Sequence, residues 1–247
     1  MSDKITFVHL PLDLRALYRL AAKRCWGERR SFDEGRALHH ALTEVFGPKT
    51  LQPFRLMVPP GKRNAIIYAY STLAAPELRQ NMEISPPDIQ AVFNCSAMCD
   101  KLLPTRFETG RRLGFDIRLR PICRFRKQKS VKPCEMDIYQ RQAELHGSDE
   151  GWHRANNRET VYVKWLKERL ASAAEVEEGA ILSRFQRSRA SRNCHATEGP
   201  DAVIQGTLKV TSEAKFSEFL SKGVGRHKAY GYGMILLRPA GQPPLGR

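Results

Sequence analysis

The chain has 247 residues, with 41 Lys and Arg against 26 Asp and Glu and a formal charge of +15. A surface this basic repels cations and draws polyanions at long range, so nucleic acid is the expected partner. No run of about 18 apolar residues is present to span a bilayer, and MSDKITFVHL lacks a signal-peptide core, so a cytoplasmic protein with no membrane partner is expected.

The length suits two small halves sharing one chain. Six cysteines (Cys25, Cys95, Cys99, Cys123, Cys134, Cys194) lack the paired spacings of a disulfide framework or zinc ribbon. Cys95 and Cys99 form the one close pair, without a second half-site or a nearby histidine, so buried thiols are expected and neither metal nor cofactor.

Ile5 to Leu10 alternates as a strand, Pro11 is expected to break it, and Asp13 starts a helix on Leu14, Leu17, Tyr18 and Ala21. After GERRS a second helix begins near Ser31, where Ser31 and Glu34 look like a capping box. Phe32, Leu38, Leu42, Val45 and Phe46 form its apolar stripe, with Arg36, His39, His40 and Glu44 beside or opposite, and Gly47-Pro48 closes it. Phe54 to Val58 and Ala65 to Tyr70 read as a hairpin with a basic tip, followed by a short helix over Leu73 to Met82. The proline-interrupted stretch to about Thr105 carries no clear pattern.

From Gly110 the pattern restarts. Leu113 to Leu119 alternates as a strand with Asp116, Arg118 and Arg120 on its polar face, and a cationic run follows at Cys123 to Lys132. Met136 to Leu170 is helix-prone around HGSDEG, and Val161, Trp165, Leu166 and Leu170 supply an apolar face that buries Trp165. Ile181 to His195 starts strand-like and becomes an arginine-rich loop over 184–195. Ala202 to Val210 is a strand, Ser212 to Leu220 a helix and Met234 to Leu237 a final strand. Both halves therefore read as β-α-β-β-α-β. The expected fold is α+β: two tandem ferredoxin-like units, 1–108 and 109–247, the second with a helical and basic insertion at about 130–160.

The most informative segment is GVGRHKAYGYGMILLRP, Gly223 to Pro239, between a helix and the last strand. Glycines permit positive φ and close backbone approach, successive N–H groups can cradle an anion, and Arg226, His227 and Lys228 add charge. A Walker loop is not matched, because Lys228 precedes Ala229 and a strand rather than Ser or Thr and a helix.

This segment resembles the C-terminal glycine-rich motif of CRISPR repeat-RNA processing endoribonucleases of the RAMP superfamily, especially CasE of type I-E systems. VIQGTLKVTSEAKFSEFLSKG and GRRLGFDIRLRP resemble the strand and helix before that motif and the family's mid-chain strand. The resemblance implies the same tandem fold and metal-independent cleavage beside the hairpin of a repeat RNA. It also implies a 2′,3′-cyclic phosphate end, retention of the product hairpin and association with other subunits of a CRISPR effector complex. CasE-like enzymes place a histidine in an aromatic-x-x-His-Arg-x-Leu pattern, with which Phe32-Asp33-Glu34-Gly35-Arg36-Ala37-Leu38 aligns. Gly35 stands where that histidine would be. The departure makes the divergent type IV counterpart of these enzymes a second family candidate, and arginine-centred cleavage a second expectation.

For catalysis the candidates are Arg24, Arg36, His39 and His40; His40 is favoured of the two histidines because it follows Arg36 by one helical turn. Arginines near a scissile phosphate can stabilise its charge, and Arg30 joins that set as an RNA-binding candidate. Arg184, Arg187, Arg189 and Arg192, with Phe185 among them, suit duplex phosphates and base stacking. Gly223, Gly225, Arg226, His227 and Lys228 complete the RNA-binding candidates, with Tyr18, Tyr230 and Tyr232 ranked below the arginines. Two functions fit: an endoribonuclease acting on precursor CRISPR RNA, or a non-catalytic subunit that holds the RNA hairpin. Nucleotide hydrolysis is disfavoured because no metal-binding carboxylate motif accompanies the glycines.

Overall fold

The computed structural model describes residues 4–26, 32–59, 64–125, 134–192 and 195–242. The first half contains β1 (Thr6–Asp13), α1 (Leu14–Lys23), α2 (Glu34–Phe46), β2 (Phe54–Met57), β3 (Asn64–Ser71), α3 (Ala75–Glu83), α4 (Pro87–Gln90) and β4 (Cys99–Leu102). Its antiparallel sheet runs β2-β3-β1-β4, the ferredoxin-like order. Alternation along β1 puts Val8, Leu10 and Leu12 on the inner face, where Leu14, Leu17 and Leu20 of α1 and Ala37, Leu38, Ala41 and Leu42 of α2 cover them. Each large aliphatic side chain buried there contributes about 1.5–3 kcal/mol.

Three local expectations change. The first strand continues through Pro11, whose carbonyl accepts from Asn94 N–H at 2.8 Å beyond the end of β4. The nitrogen faces that same side, so the ladder to β3 loses no donor. Asp13 then caps α1, accepting from Arg15 and Ala16 N–H at 2.7 and 3.1 Å. The cap of α2 is Asp33, which accepts from Arg36 N–H at 3.0 Å; the helix starts too late for a box from Ser31, which lies outside the described residues. The stretch without a clear pattern holds α4, a 3-10 turn at Cys95–Ala97 and the edge strand β4.

The second half contains β5 (Arg112–Leu119), β6 (Ile122–Phe125), β7 (Cys134–Asp137), α5 (Ile138–His146), α6 (Glu150–Ala155), α7 (Arg158–Leu170), β8 (Ala174–Val176), β9 (Ile181–Arg192), β10 (His195–Val210), α8 (Glu213–Lys222) and β11 (Ile235–Pro239). Its sheet runs β11-β5-β10-β8, and β9 takes over from β8 as the partner further along β10. With β5, α7, the β8/β9 edge, β10, α8 and β11 in order, this is the ferredoxin-like pattern again. The β6–β7 hairpin, α5 and α6 stand between β5 and α7. Phe115, Ile117, Val161, Tyr162, Leu166, Leu208, Phe216 and Leu220 form the core, and Trp165 is buried with them.

The arginine-rich segment is a strand, not a loop. Pairing with β10 satisfies its backbone, and a hairpin arm extending past the sheet needs no apolar face, so the alternation that normally marks a strand is absent. The two halves meet through buried groups: Tyr70 of β3 donates to Ile235 O at 2.6 Å, and Arg55 of β2 faces Asp116 of β5 at 3.3 Å. Among the described residues no helix is long and apolar enough to cross a membrane.

Candidate active-site cleft

A cleft of about 260 Å³ lies between the first turn of α2, β2, β9 and the glycine-rich loop. Phe32, Asp33, Glu34 and Gly35 form one wall; Arg118, Ser188 and Arg189 face it, with Tyr230 and Tyr232 from the loop.

The loop is held in place by its own backbone. Gly233 donates to Arg118 O at 2.7 Å and accepts from Val224 N–H at 2.8 Å, with φ of +84°. A Cβ at Gly233 would lie 2.3 Å from Val224 O, so glycine is required there by both conformation and space. Gly223 ends α8, Gly225 packs over Trp165 and Gly231 over Phe54. The loop's cations turn away from the cleft: Arg226 and His227 bind Glu135 of β7 at 2.8 and 2.9 Å, and Lys228 Nζ sits 3.4 Å from Gly223 O. His227 and then Arg226 hold the Glu135 carboxyl down at about 2, against the opposing effect of burial. The inserted hairpin thereby latches the loop.

Gly35 explains the missing histidine. A Cβ at that position would lie 2.7 Å from Tyr230 O, so the first turn of α2 and the loop approach backbone to backbone. Gly35→Ala is expected to lose up to about 2 kcal/mol in a urea melt: pressing on a carbonyl costs about 1–3 kcal/mol, against the roughly 1 kcal/mol gained in helix propensity. Gly35→His should lose more. A stabilised alanine variant would show that the loop yields freely.

Arg118 forms the floor. Its guanidinium makes two hydrogen bonds to Asp201, at 2.8 and 2.6 Å, and lies 4.5 Å over the Tyr232 ring. Asp201 is fully buried and also accepts from Gln186 at 2.8 Å. Burial alone would raise its pKa, but these hydrogen bonds hold it below the ordinary carboxylate range. Tyr232 OH meets Ser188 Oγ at 3.1 Å. Asp116 and Arg120, expected with Arg118 on the polar face of this strand, are buried: Asp116 faces Arg55 and accepts from Gln205 at 2.6 Å, and Arg120 donates to Ser188 O at 3.2 Å. Arg55, Arg118 and Arg120 against Asp116 and Asp201 leave this region positive beside the cleft.

The candidates from the sequence scatter. Arg24 is bound by Glu44 at 2.5 Å and Asp88 at 3.1 Å, away from the cleft. His40 stacks on Trp26 with ring centroids 5.4 Å apart, one turn beyond Arg36. His39 meets Tyr230 edge-on at 5.6 Å, under the loop. Burial lowers the pKa of His39; burial, then His39 and Arg36, lower that of His40. Arg189 lines the cleft and Arg184 is exposed, whereas Arg187 pairs with Glu198 at 2.9 Å. Phe185 lies under the Arg158 guanidinium at 4.2 Å. Arg30, most of the cationic run after Cys123 and the tip of the β2–β3 hairpin lie outside the described residues, as does the Arg192 side chain. Sequence reasoning missed Glu34, Ser188 and Asp201 as parts of one place; nothing local distinguishes them.

The family model of the CRISPR associated protein matches residues 7–239. The chain belongs to that family. Among solved structures, the CRISPR endoribonuclease Cse3 bound to a 19-nucleotide RNA is similar over 96% of this chain and 100% of its own, with a TM-score of 0.66 and 15% identity. Cse3 of Thermus thermophilus, bound to an RNA representing a pre-cleavage complex, matches over 96% and 100% with a TM-score of 0.62 and 16% identity. Cas6e of Escherichia coli strain K-12 matches over 95% and 99%, with a TM-score of 0.59 and 16% identity. At such identities these are likenesses of fold, and they agree with the tandem ferredoxin-like architecture. No curated protein matches the chain in sequence.

Proposed function

We propose that this chain is an endoribonuclease that cuts CRISPR precursor RNA within its repeats, without a metal ion, by attack of a ribose 2′-OH on the adjacent phosphate. The products carry a 2′,3′-cyclic phosphate and a free 5′-OH, and the hairpin stays bound. The observation that carries this reading is the cleft itself, whose lining brings Arg118 and Arg189 together with the carboxylates Asp33 and Glu34 and two tyrosines of the glycine-rich loop. Such cleavage needs an aligned nucleophile, a proton acceptor and cations to stabilise the crowded phosphate. Arg118 is pre-oriented by Asp201, so little reorganisation is needed as charge develops, and exposed Arg189 can meet a phosphate oxygen.

Arg189, on the arm that extends past the sheet, and exposed Arg184, at the base of that arm, suit the phosphates of the RNA hairpin. His39 and His40 fit support of α2 and the loop better than proton transfer, and Arg24 fits an anchor between α1 and its carboxylates. Solved relatives of this fold are described as endoribonucleases bound to RNA, and one with a TM-score of 0.54 as part of a CRISPR RNA-guided surveillance complex. Other effector subunits are therefore proposed partners.

The test is incubation in EDTA with a labelled repeat RNA and with a copy carrying one 2′-deoxy nucleotide at the cut. The all-ribose RNA should be cleaved, and the deoxy copy bound but left whole. Tight binding of both without cleavage supports instead the second reading, a subunit that only holds the hairpin.

A further inference from the structure

Glu34 is the first residue of α2 and lines the cleft, half-buried, between Phe32 and Gly35. Tyr18 of α1 donates its hydroxyl to Glu34 Oε1 at 2.6 Å, and its ring meets Phe32 edge-on at 4.7 Å. Burial and then the Glu34 hydrogen bond push the Tyr18 phenol up, so it remains a donor and fixes the carboxylate. Oε2 of Glu34 has no hydrogen-bond partner among the described residues. The other ionisable groups lining the cleft are Asp33 from the helix cap, Arg118 from β5, Arg189 from β9, and Tyr230 and Tyr232 from the loop. Asp33 is engaged as the cap of α2, and Arg118 by Asp201.

We propose that the Glu34 carboxylate is the group that takes the proton from the attacking 2′-OH, in the place that Gly35 leaves without a side chain. The assignment rests on the cleavage reading above. The O2′ proton passes to Oε2 as the O2′–P bond forms and the P–O5′ bond breaks; the departing 5′-oxygen takes a proton from water, and Glu34 returns its proton to solvent. No electron changes hands. A carboxylate is a weak base toward a free alcohol, but the O2′ proton grows strongly acidic as its bond to phosphorus forms. The nearby arginines offset the charge that accumulates on the phosphate.

The test compares wild type, Glu34→Gln and Tyr18→Phe on the repeat RNA in single-turnover reactions from about pH 4 to pH 8, spanning the carboxylate range. RNA affinity is measured alongside with the 2′-deoxy copy. Wild-type rate should rise with pH through an acid limb. Glu34→Gln should bind RNA as wild type does, cut at least about a hundredfold more slowly and lose that limb. Tyr18→Phe should keep the limb and lose less rate. Added acetate should partly restore Glu34→Ala and leave Glu34→Gln unchanged. A Glu34→Gln chain within about threefold of wild type, below the range of acid–base catalysis, overturns the assignment, as does one that keeps the acid limb or loses only affinity. A wild-type chain that binds the RNA and never cuts it overturns the cleavage reading, and this assignment with it.

Discussion

Asp201→Ala is expected to destabilise the chain by about 3–5 kcal/mol, the cost of leaving a buried charge without its partner. Three hydrogen bonds end on this fully buried carboxylate, two from Arg118 and one from Gln186. Their loss leaves Arg118 beside buried Arg55 and Arg120, with buried Asp116 paired to Arg55. Most of the desolvation imposed on Arg118 remains, because its side chain is only 19% exposed and lies against the Tyr232 ring. Urea unfolding followed by circular dichroism measures the effect, and a loss under about 1 kcal/mol, the range of a surface pair, would show that water enters the cluster. The double variant Arg118→Met, Asp201→Leu should recover most of the loss, since a packed apolar pair replaces a buried ionic one at little net cost. It should not recover RNA cleavage, because Arg118 belongs to the cleft. Stability and activity thus separate in one pair of residues.

Gly233→Ala should be comparably severe, about 4 kcal/mol or more. A non-glycine residue at φ of +84° is strained by about 1–3 kcal/mol. The added Cβ would also fall 2.3 Å from Val224 O, and backbone cannot move aside as a flexible side chain can. Relief requires opening the Val224–Gly233 and Gly233–Arg118 hydrogen bonds, each worth about 1 kcal/mol. Trp165 packs under Gly225 of the same loop, so its fluorescence reports the opening during denaturation. Gly110→Ala separates the two effects: φ there is +89°, but nothing lies within 4 Å of the added Cβ, and only the strain should appear. Equal losses in the two variants would leave the Val224 contact without energetic weight. Because the loop carries Tyr230 and Tyr232 into the cleft, Gly233→Ala should also abolish cleavage.

Much of the fold was legible without coordinates, because the period of apolar residues is a local property. Alternation in β1 and β5, helical spacing in α1, α2 and α7, and the restart at Gly110 together imply the tandem ferredoxin-like order. The glycine-rich segment pointed to the family by its resemblance to the family's motif; Gly223 and Gly233 prove to stand where backbone meets backbone, and Gly225 and Gly231 where it meets the Trp165 and Phe54 rings. Local pattern shows which residues share a side, not what covers that side. Thus Asp116, Arg118 and Arg120 share a face of β5 as read from the sequence, yet that face is buried, because Arg55, Asp201 and Ser188 arrive from distant strands to partner it. The start of β9 was legible, but its arginine-rich continuation read as a loop because strand pairing, not apolar alternation, stabilises it. Residue type and helical spacing likewise marked Arg24 and His40 for catalysis, and charge marked Arg187 for RNA, whereas in the fold Glu44, Trp26 and Glu198 engage them. The sequence by itself determined the charge and the repeated β-α-β pattern of the two halves, and its glycine-rich motif carried the resemblance to the family. Only the tertiary structure decided which charges face the cleft, because that depends on carboxylates and backbone brought together from opposite ends of the chain.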